Sequence, residues 1–199
     1  MSDSKPLSGK LALVTGASRG IGAATAEALA REGAHVILVA RTAKALEEVE
    51  DRIHAAGGSA TIAPLDLTDG EAIGKLGAAV SERWGALDIL VLNAAMLGSL
   101  TPVEHIDPKE YSRILTLNVG SNQALIAAFD QMLRKAERAD VIGVTSSVGH
   151  EPRAFWGPTA LPRQRWRTFS ALMPTRRSIP ARSACRSSTR ARPAPACAS

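Results

Sequence analysis

Three glycines and two arginines stand where this sequence can do chemistry. Gly16, Gly20 and Gly22 fall in the pattern Thr15-Gly16-x-x-x-Gly20-x-Gly22. They follow a short apolar run, Leu11-Ala-Leu-Val14, and lead into Ile21-Gly-Ala-Ala-Thr-Ala-Glu-Ala-Leu-Ala30, which is rich in helix formers. Strand, glycine turn and helix N-terminus in that order aim backbone N–H groups at a phosphate. Gly16 permits the sharp turn, Gly20 admits backbone close to a pyrophosphate, and Gly22 lets the helix pack tightly. Ser18, Arg19 and Ile21 fill the remaining positions of the same turn.

Arg41 follows at once on a second apolar run, His35-Val-Ile-Leu-Val-Ala40, which closes a βαβ unit. In a dinucleotide fold the residue at this strand end meets the adenosine ribose. An acid there binds the 2′-hydroxyl, whereas an arginine suits a 2′-phosphate. Arg19 offers that phosphate a second cation. The pair predicts NADP over NAD; the plainer alternative is that Arg41 begins a solvated loop.

The elements that position these residues alternate along the chain. Ala43 to Ala56 has helical apolar spacing at Leu46, Val49 and Ile53 and stops at Gly57-Gly58. Ala60 to Leu65 is a third strand, followed by Asp66-Leu67, and Glu71 to Trp84 is helical. Leu87 to Leu92 is a fourth strand running into Asn93-Ala94-Ala95. Pro108 to Phe129 is expected as one long helix carrying Asn118, where a mid-helix asparagine is unfavourable unless it has a task. Val141 to Thr145 is a fifth strand ending in Ser146-Ser147-Val148-Gly149. The alternation predicts an α/β fold, a Rossmann-like doubly wound parallel sheet.

Glycine spacing, Asp66, Asn93-Ala94, Asn118 and Ser146 occur in an order that resembles the classical short-chain dehydrogenase/reductase family over about residues 8–158. The resemblance implies that Asp66, with Leu67, contacts the adenine ring; capping of the next helix is the alternative, open equally to Thr68 or Asp69. It implies that the Asn93 side chain ties the central strands together and that backbone at Ala94 borders the cofactor. Ala95 stands where the family has glycine, which leaves slightly less room. Asn118 takes the proton-relay position and Ser146 the serine that polarises the substrate carbonyl, although paired serines at a strand end also suit a plain turn. The implied activity is an NADP-dependent oxidoreductase interconverting an alcohol and a carbonyl compound, a small-molecule substrate, in a homodimer or homotetramer.

The resemblance breaks after residue 158. The family's proton transfer needs Tyr-x-x-x-Lys, the tyrosine thirteen positions after the serine, with the lysine lowering the phenol pKa. Counting from Ser146 lands on Thr159 and Arg163, and the only tyrosine in the chain is Tyr111. An aliphatic hydroxyl is a far weaker acid than a phenol, so the chain as written lacks its general acid/base. Thr159 to Ser199 is rich in Arg, Ala, Pro and Ser, with no acid and no strand pattern. The sheet is therefore expected to be incomplete at its C-terminal edge. Two domains follow: 1–158, dinucleotide-binding, and 159–199, a basic tail that is natively disordered or out of frame.

The genetic code tests the second alternative. Reading each codon one base earlier, Thr159-Ala-Leu-Pro-Arg-Gln-Arg-Trp166 can encode Tyr-Gly-Ala-Ser-Lys-Ala-Ala-Leu, with Pro158 supplying the first base. The same offset lets Leu172-Met-Pro-Thr-Arg176 encode Ala-Tyr-Ala-Asp-Glu, and the alanine after the tyrosine is forced by the single codon of Met173. A lost or gained base explains the change of character better than a natural basic tail.

Composition narrows the classes. Of the 24 Lys and Arg, 15 lie at or before Arg153, together with all 19 acids, so residues 1–157 carry a net charge of −4. The nine remaining Arg lie in the tail. Nucleic-acid binding by that tail finds little aromatic interleaving beyond Trp166 and Phe169. Cys185 and Cys197 show no metal-like spacing, which argues neither a disulfide nor a zinc site. No apolar run approaches the roughly 20 residues that span a bilayer, and the polar N-terminus has no signal-peptide core, so the expected location is the cytoplasm. A non-catalytic dinucleotide-binding sensor or scaffold is the alternative function. An incomplete sheet leads us to expect weak NADP binding and a tendency to aggregate.

Overall fold

The computed structural model describes residues 5–146 and 154–156. Ser147, Val148, Gly149, Thr159, Arg163 and both cysteines lie outside the described residues. Five strands form one parallel sheet in the order β3-β2-β1-β4-β5: β1 Leu11–Thr15, β2 His35–Ala40, β3 Ser59–Pro64, β4 Ile89–Leu92 and β5 Asp140–Gly143. Leu13 sits opposite Ile37 of β2 on one side and Leu90 of β4 on the other. The helices are α1 Gly20–Arg31, α2 Ala43–Ala55, α3 Gly70–Arg83, α4 Pro108–Leu115 and α5 Ser121–Lys135.

Successive residues of a strand face opposite sides, so a strand covered on both faces must be apolar throughout. β1 meets this rule. Ala12 and Val14 join Ala23, Ala26 and Ala30 of α1 and Leu46, Val49 and Ile53 of α2 in one core. Leu11 and Leu13 join Ile73 and Val80 of α3 and Leu125, Phe129 and Met132 of α5 in the other. The small residues along α1 let that helix lie close to the sheet. At Gly77 an added Cβ would sit 3.1 Å from the Ala128 methyl, so α3 and α5 also touch at small residues.

The expected single helix over 108–129 is corrected. The helical path runs on to Lys135 and is interrupted by a π-helical stretch, Thr116–Gly120. Widening the turn changes which N–H reaches each carbonyl, and side chains take up carbonyls four residues back. Thr116 Oγ1 donates to the Ser112 carbonyl at 2.9 Å, Ser121 Oγ to Leu117 at 2.6 Å, and Asn122 Nδ2 to Asn118 at 2.9 Å. Hydrophobic spacing does not register such a bulge. The fifth strand is also shorter than expected and releases the chain at Gly143, before Ser146.

β5 is one of the two edge strands of the described sheet, β3 being the other, and all four of its residues are exposed. Its Val141 and Ile142 side chains, 37 % and 48 % accessible, point to opposite faces, and no described helix covers either. Among the described residues the sheet ends here.

At the N-terminal ends of the strands, Asp88 accepts from Lys10 Nζ at 3.0 Å and from the Leu11 amide at 2.9 Å, tying β1 to the segment before β4. His35 shares hydrogen bonds with Ser59 and Thr61 of β3 and stacks on Trp84 at 5.4 Å. Burial first, then the charges of Arg83 and His54, hold its pKa below the usual value of 6.5. A lowered folded-state pKa means the unfolded chain binds the proton more readily, so this contribution is complete above the unfolded pKa and fades as pH falls towards the folded one. Thermal midpoints measured from pH 7.5 down to 5.5, on the order of the histidine range, should fall more steeply in the original chain than in His35→Gln. Equal slopes would contradict this reading of His35.

Candidate functional site

The strand order reverses between β1 and β4, the switch point at which an open parallel sheet leaves a crevice beyond its C-terminal strand ends. The glycine turn fills one lip. Gly16 has φ +64°, and a Cβ there would lie 2.9 Å from Asn93 Nδ2 and 3.0 Å from the Ala94 Cα, so both the turn and its close neighbour demand glycine. Gly20, at φ +57°, faces open space, with nothing within 4 Å of where a Cβ would be. Gly22 has a different neighbour from the one expected: a Cβ there would collide with the Gly16 carbonyl and with Asn93 Nδ2 rather than with the strand itself.

The turn is bound to the end of β4 by a buried lock that centres on Thr15. Its hydroxyl donates to the Val91 carbonyl at 3.1 Å and accepts from the amides of Asn93 at 2.9 Å and Ala94 at 3.1 Å. Asn93 completes the lock by donating from Nδ2 to the carbonyls of Thr15 at 3.0 Å and Gly16 at 3.3 Å. The expected tie by Asn93 is thus present; the part played by Thr15 is not visible from the motif. Its only sequence signal is a hydroxyl closing an otherwise apolar run.

α1 begins at this lip without a side-chain cap. Arg19 is its N-cap residue, and no acid stands in the first turn. α2 is likewise without a side-chain cap, whereas α3 and α4 are each capped by an aspartate, Asp69 accepting from Glu71 and Ala72 and Asp107 from Lys109 and Glu110. An uncapped first turn behind an open glycine corner has the donors and the partial positive charge that an anion needs. Arg19 and Arg41 are exposed beside it, as are Gly20 and Ile21, while Ser18 is half-buried.

Asp66 follows β3 and is not a helix cap; Asp69 takes that role. Asp66 Oδ1 accepts from the Thr68 amide at 2.9 Å and the Thr68 hydroxyl at 2.8 Å. These bonds, and then the positive charges of Arg41 and Arg113, hold its carboxyl below the usual value. Asp66 therefore stays ionised and exposed at the rim, with Leu67 buried behind it.

The other lip is the loop after β4. Asn118, in the π-helical stretch and 5 % accessible, clamps it. Its Oδ1 accepts from the Met96 amide and its Nδ2 donates to the Met96 carbonyl, both at 2.9 Å. Both polar atoms of the side chain are thus engaged by Met96, and the Asn118 carbonyl accepts from Asn122 Nδ2. Asn122 Oδ1, buried, finds no partner among the described residues. Neither Asn122 nor Met96 had a sequence signal of its own. Ser146, half-buried, lies three residues past β5. Tyr111 is on α4, where its amide donates to Asp107. The structure thus brings the glycine turn, Asn93 and Ala94 into direct contact, while Asn118 meets the loop two residues further on.

Residues 10–158 match the family model described as short chain dehydrogenase. Sorbitol dehydrogenase of Cereibacter sphaeroides is 36 % identical over 152 residues, covering 76 % of this chain and 58 % of that protein. Versicolorin reductase 1 of Aspergillus parasiticus is 42 % identical over 119 residues, 59 % of this chain and 45 % of that one. The chain spans about half the length of these curated relatives. A metagenomic short-chain oxidoreductase solved in complex with NADP has a TM-score of 0.80 at 35 % identity, covering 83 % of this chain and 75 % of that one. A short chain dehydrogenase from Shigella flexneri superposes with a TM-score of 0.80 at 30 % identity, over 85 % and 68 % of the two chains.

Thr15→Val keeps the shape of the lock and deletes its hydroxyl, stranding two amides and a carbonyl. A fully buried group left unpaired costs about 1–3 kcal/mol, and the two amide bonds are only part-buried and cost less, so the urea midpoint should drop by the equivalent of roughly 2–4 kcal/mol. Thr15→Ser, which retains the hydroxyl, should stay close to the original, and equal loss in both variants would contradict the lock.

Proposed function

The chain belongs to the short chain dehydrogenase family, and from that premise we propose that it derives from an NADP-dependent oxidoreductase acting on a small alcohol or carbonyl substrate. The observation that carries this reading is the uncapped N-terminus of α1 behind the open Gly20 corner, held against β4 by Thr15 and Asn93. The residues present suit a dinucleotide. Gly16, Ser18, Arg19, Gly20, Ile21 and Gly22 would hold the pyrophosphate, Arg41 and Arg19 the 2′-phosphate, Asp66 and Leu67 the adenine, and Asn93 and Ala94 the inner border. When bound, NADP(H) supplies the hydride that is exchanged with the substrate carbon. The NADP bound in the metagenomic relative supports that cofactor, and the arginine at the end of β2 favours it over NAD.

In this arrangement Ser146 polarises the substrate oxygen by a hydrogen bond. Asn118 acts as a positioning residue: by clamping Met96 it fixes the loop that borders the site, and it would place a water for the proton relay. The proton itself needs a phenol with a depressed pKa, and Thr159 and Arg163 stand where the tyrosine and lysine belong. The chain is therefore inactive as written. Residues 1–158 are the NADP-binding domain, and 159–199 are the out-of-frame reading of the segment that carried Tyr-x-x-x-Lys. The intact enzyme works in the cytoplasm as a homodimer or homotetramer. A second reading, a non-catalytic dinucleotide sensor or scaffold, is favoured by one observation: the phosphate end is whole while the acid/base is missing.

Shifting the coding sequence back by one base at codon 158 should produce a longer protein that oxidises NADPH in the presence of a ketone or aldehyde panel, while the present chain does not turn over. Arg41→Asp in that longer protein should shift preference towards NADH by about tenfold or more, as expected for the loss of a cation facing a phosphate. A longer protein that binds NADPH and stays inactive on the whole panel would favour the sensor.

A further inference from the structure

Two charged groups at the adenosine end of the site come from the ends of β2 and β3, Arg41 and Asp66. A third reaches the same rim from α4, a helix that none of the sequence motifs touches. The inward side of α4 is set by its contacts. Ile114 is fully buried, and Glu110 accepts from the Ser99 amide and hydroxyl, both at 3.1 Å. Ser99 belongs to the loop after β4, at the C-terminal ends of the strands. Just beyond α4, Leu117 packs against the apolar cluster that includes Leu67, and Leu65 and Ala94 pack against it too. Leu65 and Leu67 are the chain neighbours of Asp66.

Residues three and four apart share one face of a helix. Arg113 comes three residues after Glu110 and four before Leu117, so it borders the stripe that faces the strand ends. That places it on the side of α4 that is turned towards Leu65, Asp66 and Leu67. Its side chain is exposed and makes no hydrogen bond or direct ion pair among the described residues. The electrostatics agree with this placement. After the bonds from Thr68, the charges that keep Asp66 ionised are those of Arg41 and Arg113.

An ionised carboxylate only accepts hydrogen bonds, and the exocyclic amine of adenine only donates. Adenine also has two aromatic faces. A planar, weakly hydrated guanidinium stacks on such a face, whereas an ammonium is a compact and strongly hydrated point charge. The end of β2 and the glycine turn already offer Arg41 and Arg19 to a 2′-phosphate. Arg113 meets the rim at the other acceptor, Asp66. We infer that Arg113 is a further binding residue for the dinucleotide, its guanidinium closing over the adenine that Asp66 holds. This assignment rests on the dinucleotide reading proposed above and extends that site to α4.

The test compares two probes that lack nicotinamide, ADP-ribose and 2′-phospho-ADP-ribose. Their dissociation constants are measured for the 199-residue chain and for its Arg113→Gln and Arg113→Lys variants. Because Arg113 is exposed and bonds to no other described group, the thermal midpoint should not move, which checks that the variants fold. Arg113→Gln should weaken both probes alike, by about 3- to 10-fold, and Arg113→Lys should not restore them, since it keeps the charge and loses the plane. A loss confined to 2′-phospho-ADP-ribose and restored by lysine would make Arg113 a phosphate ligand and overturn the assignment to adenine. Unchanged binding of both probes would overturn it as well. In either case the dinucleotide reading of the site would stand. If the original chain bound neither probe, that reading would fall and take the assignment with it.

Discussion

The hydroxyl of Thr15 is the point on which the site depends. It closes the buried end of β1, and through one donated and two accepted hydrogen bonds it fixes the first turn of backbone beyond β4. Asn93 returns the interaction by holding the carbonyls on which the glycine turn is built. Thr15 is fully buried and these partners are part-buried, so the groups rely largely on one another, and their bonds hold the two loops in register. The N-terminus of α1 is aimed as a consequence. Gly16 and Gly22 have no room for a side chain because Asn93 occupies it.

The same demand for satisfied neighbours marks where the fold stops. On the side of β3 and β2 the sheet is covered by α1 and α2 on one face and α3 on the other; β2 is buried, and β3, the outer strand, is mostly half-buried. On the side of β5 apolar side chains meet solvent. The residues proposed to hold the phosphates and adenine therefore lie almost entirely in the well-packed half. Under the proposed reading, the tyrosine and lysine that would handle the proton belong to positions 159 and 163, beyond the described residues.

Much of this was legible in the sequence because it depends on local pattern. The apolar runs at Leu11 and His35 mark strands buried on both faces, and the glycine spacing marks the turn between them. Leu46, Val49 and Ile53 mark α2, the helix that follows. What was not legible depends on contacts between distant segments. The helix expected over 108–129 contains a π-helical stretch because Asn118 must reach Met96 and because Thr116, Ser121 and Asn122 can take up carbonyls four residues back, none of which alters hydrophobic periodicity. Asp66 and Asp69 both suit a helix cap by type, and only the backbone path chose Asp69. Thr15 reads as a strand residue until β4 is placed beside it.

Under the proposed reading, this chain keeps a preformed phosphate-binding corner on a sheet that residues 159–199 do not complete. Scanning calorimetry of the 199-residue chain, with and without saturating NADPH, tests it most directly. The account predicts a broad transition of low enthalpy for the chain length, moved only slightly by NADPH, because the adenosine end alone contributes binding. A sharp cooperative transition, raised by many degrees on adding NADPH as linkage requires of a tight ligand, would show a complete and functional binding domain and would contradict the account.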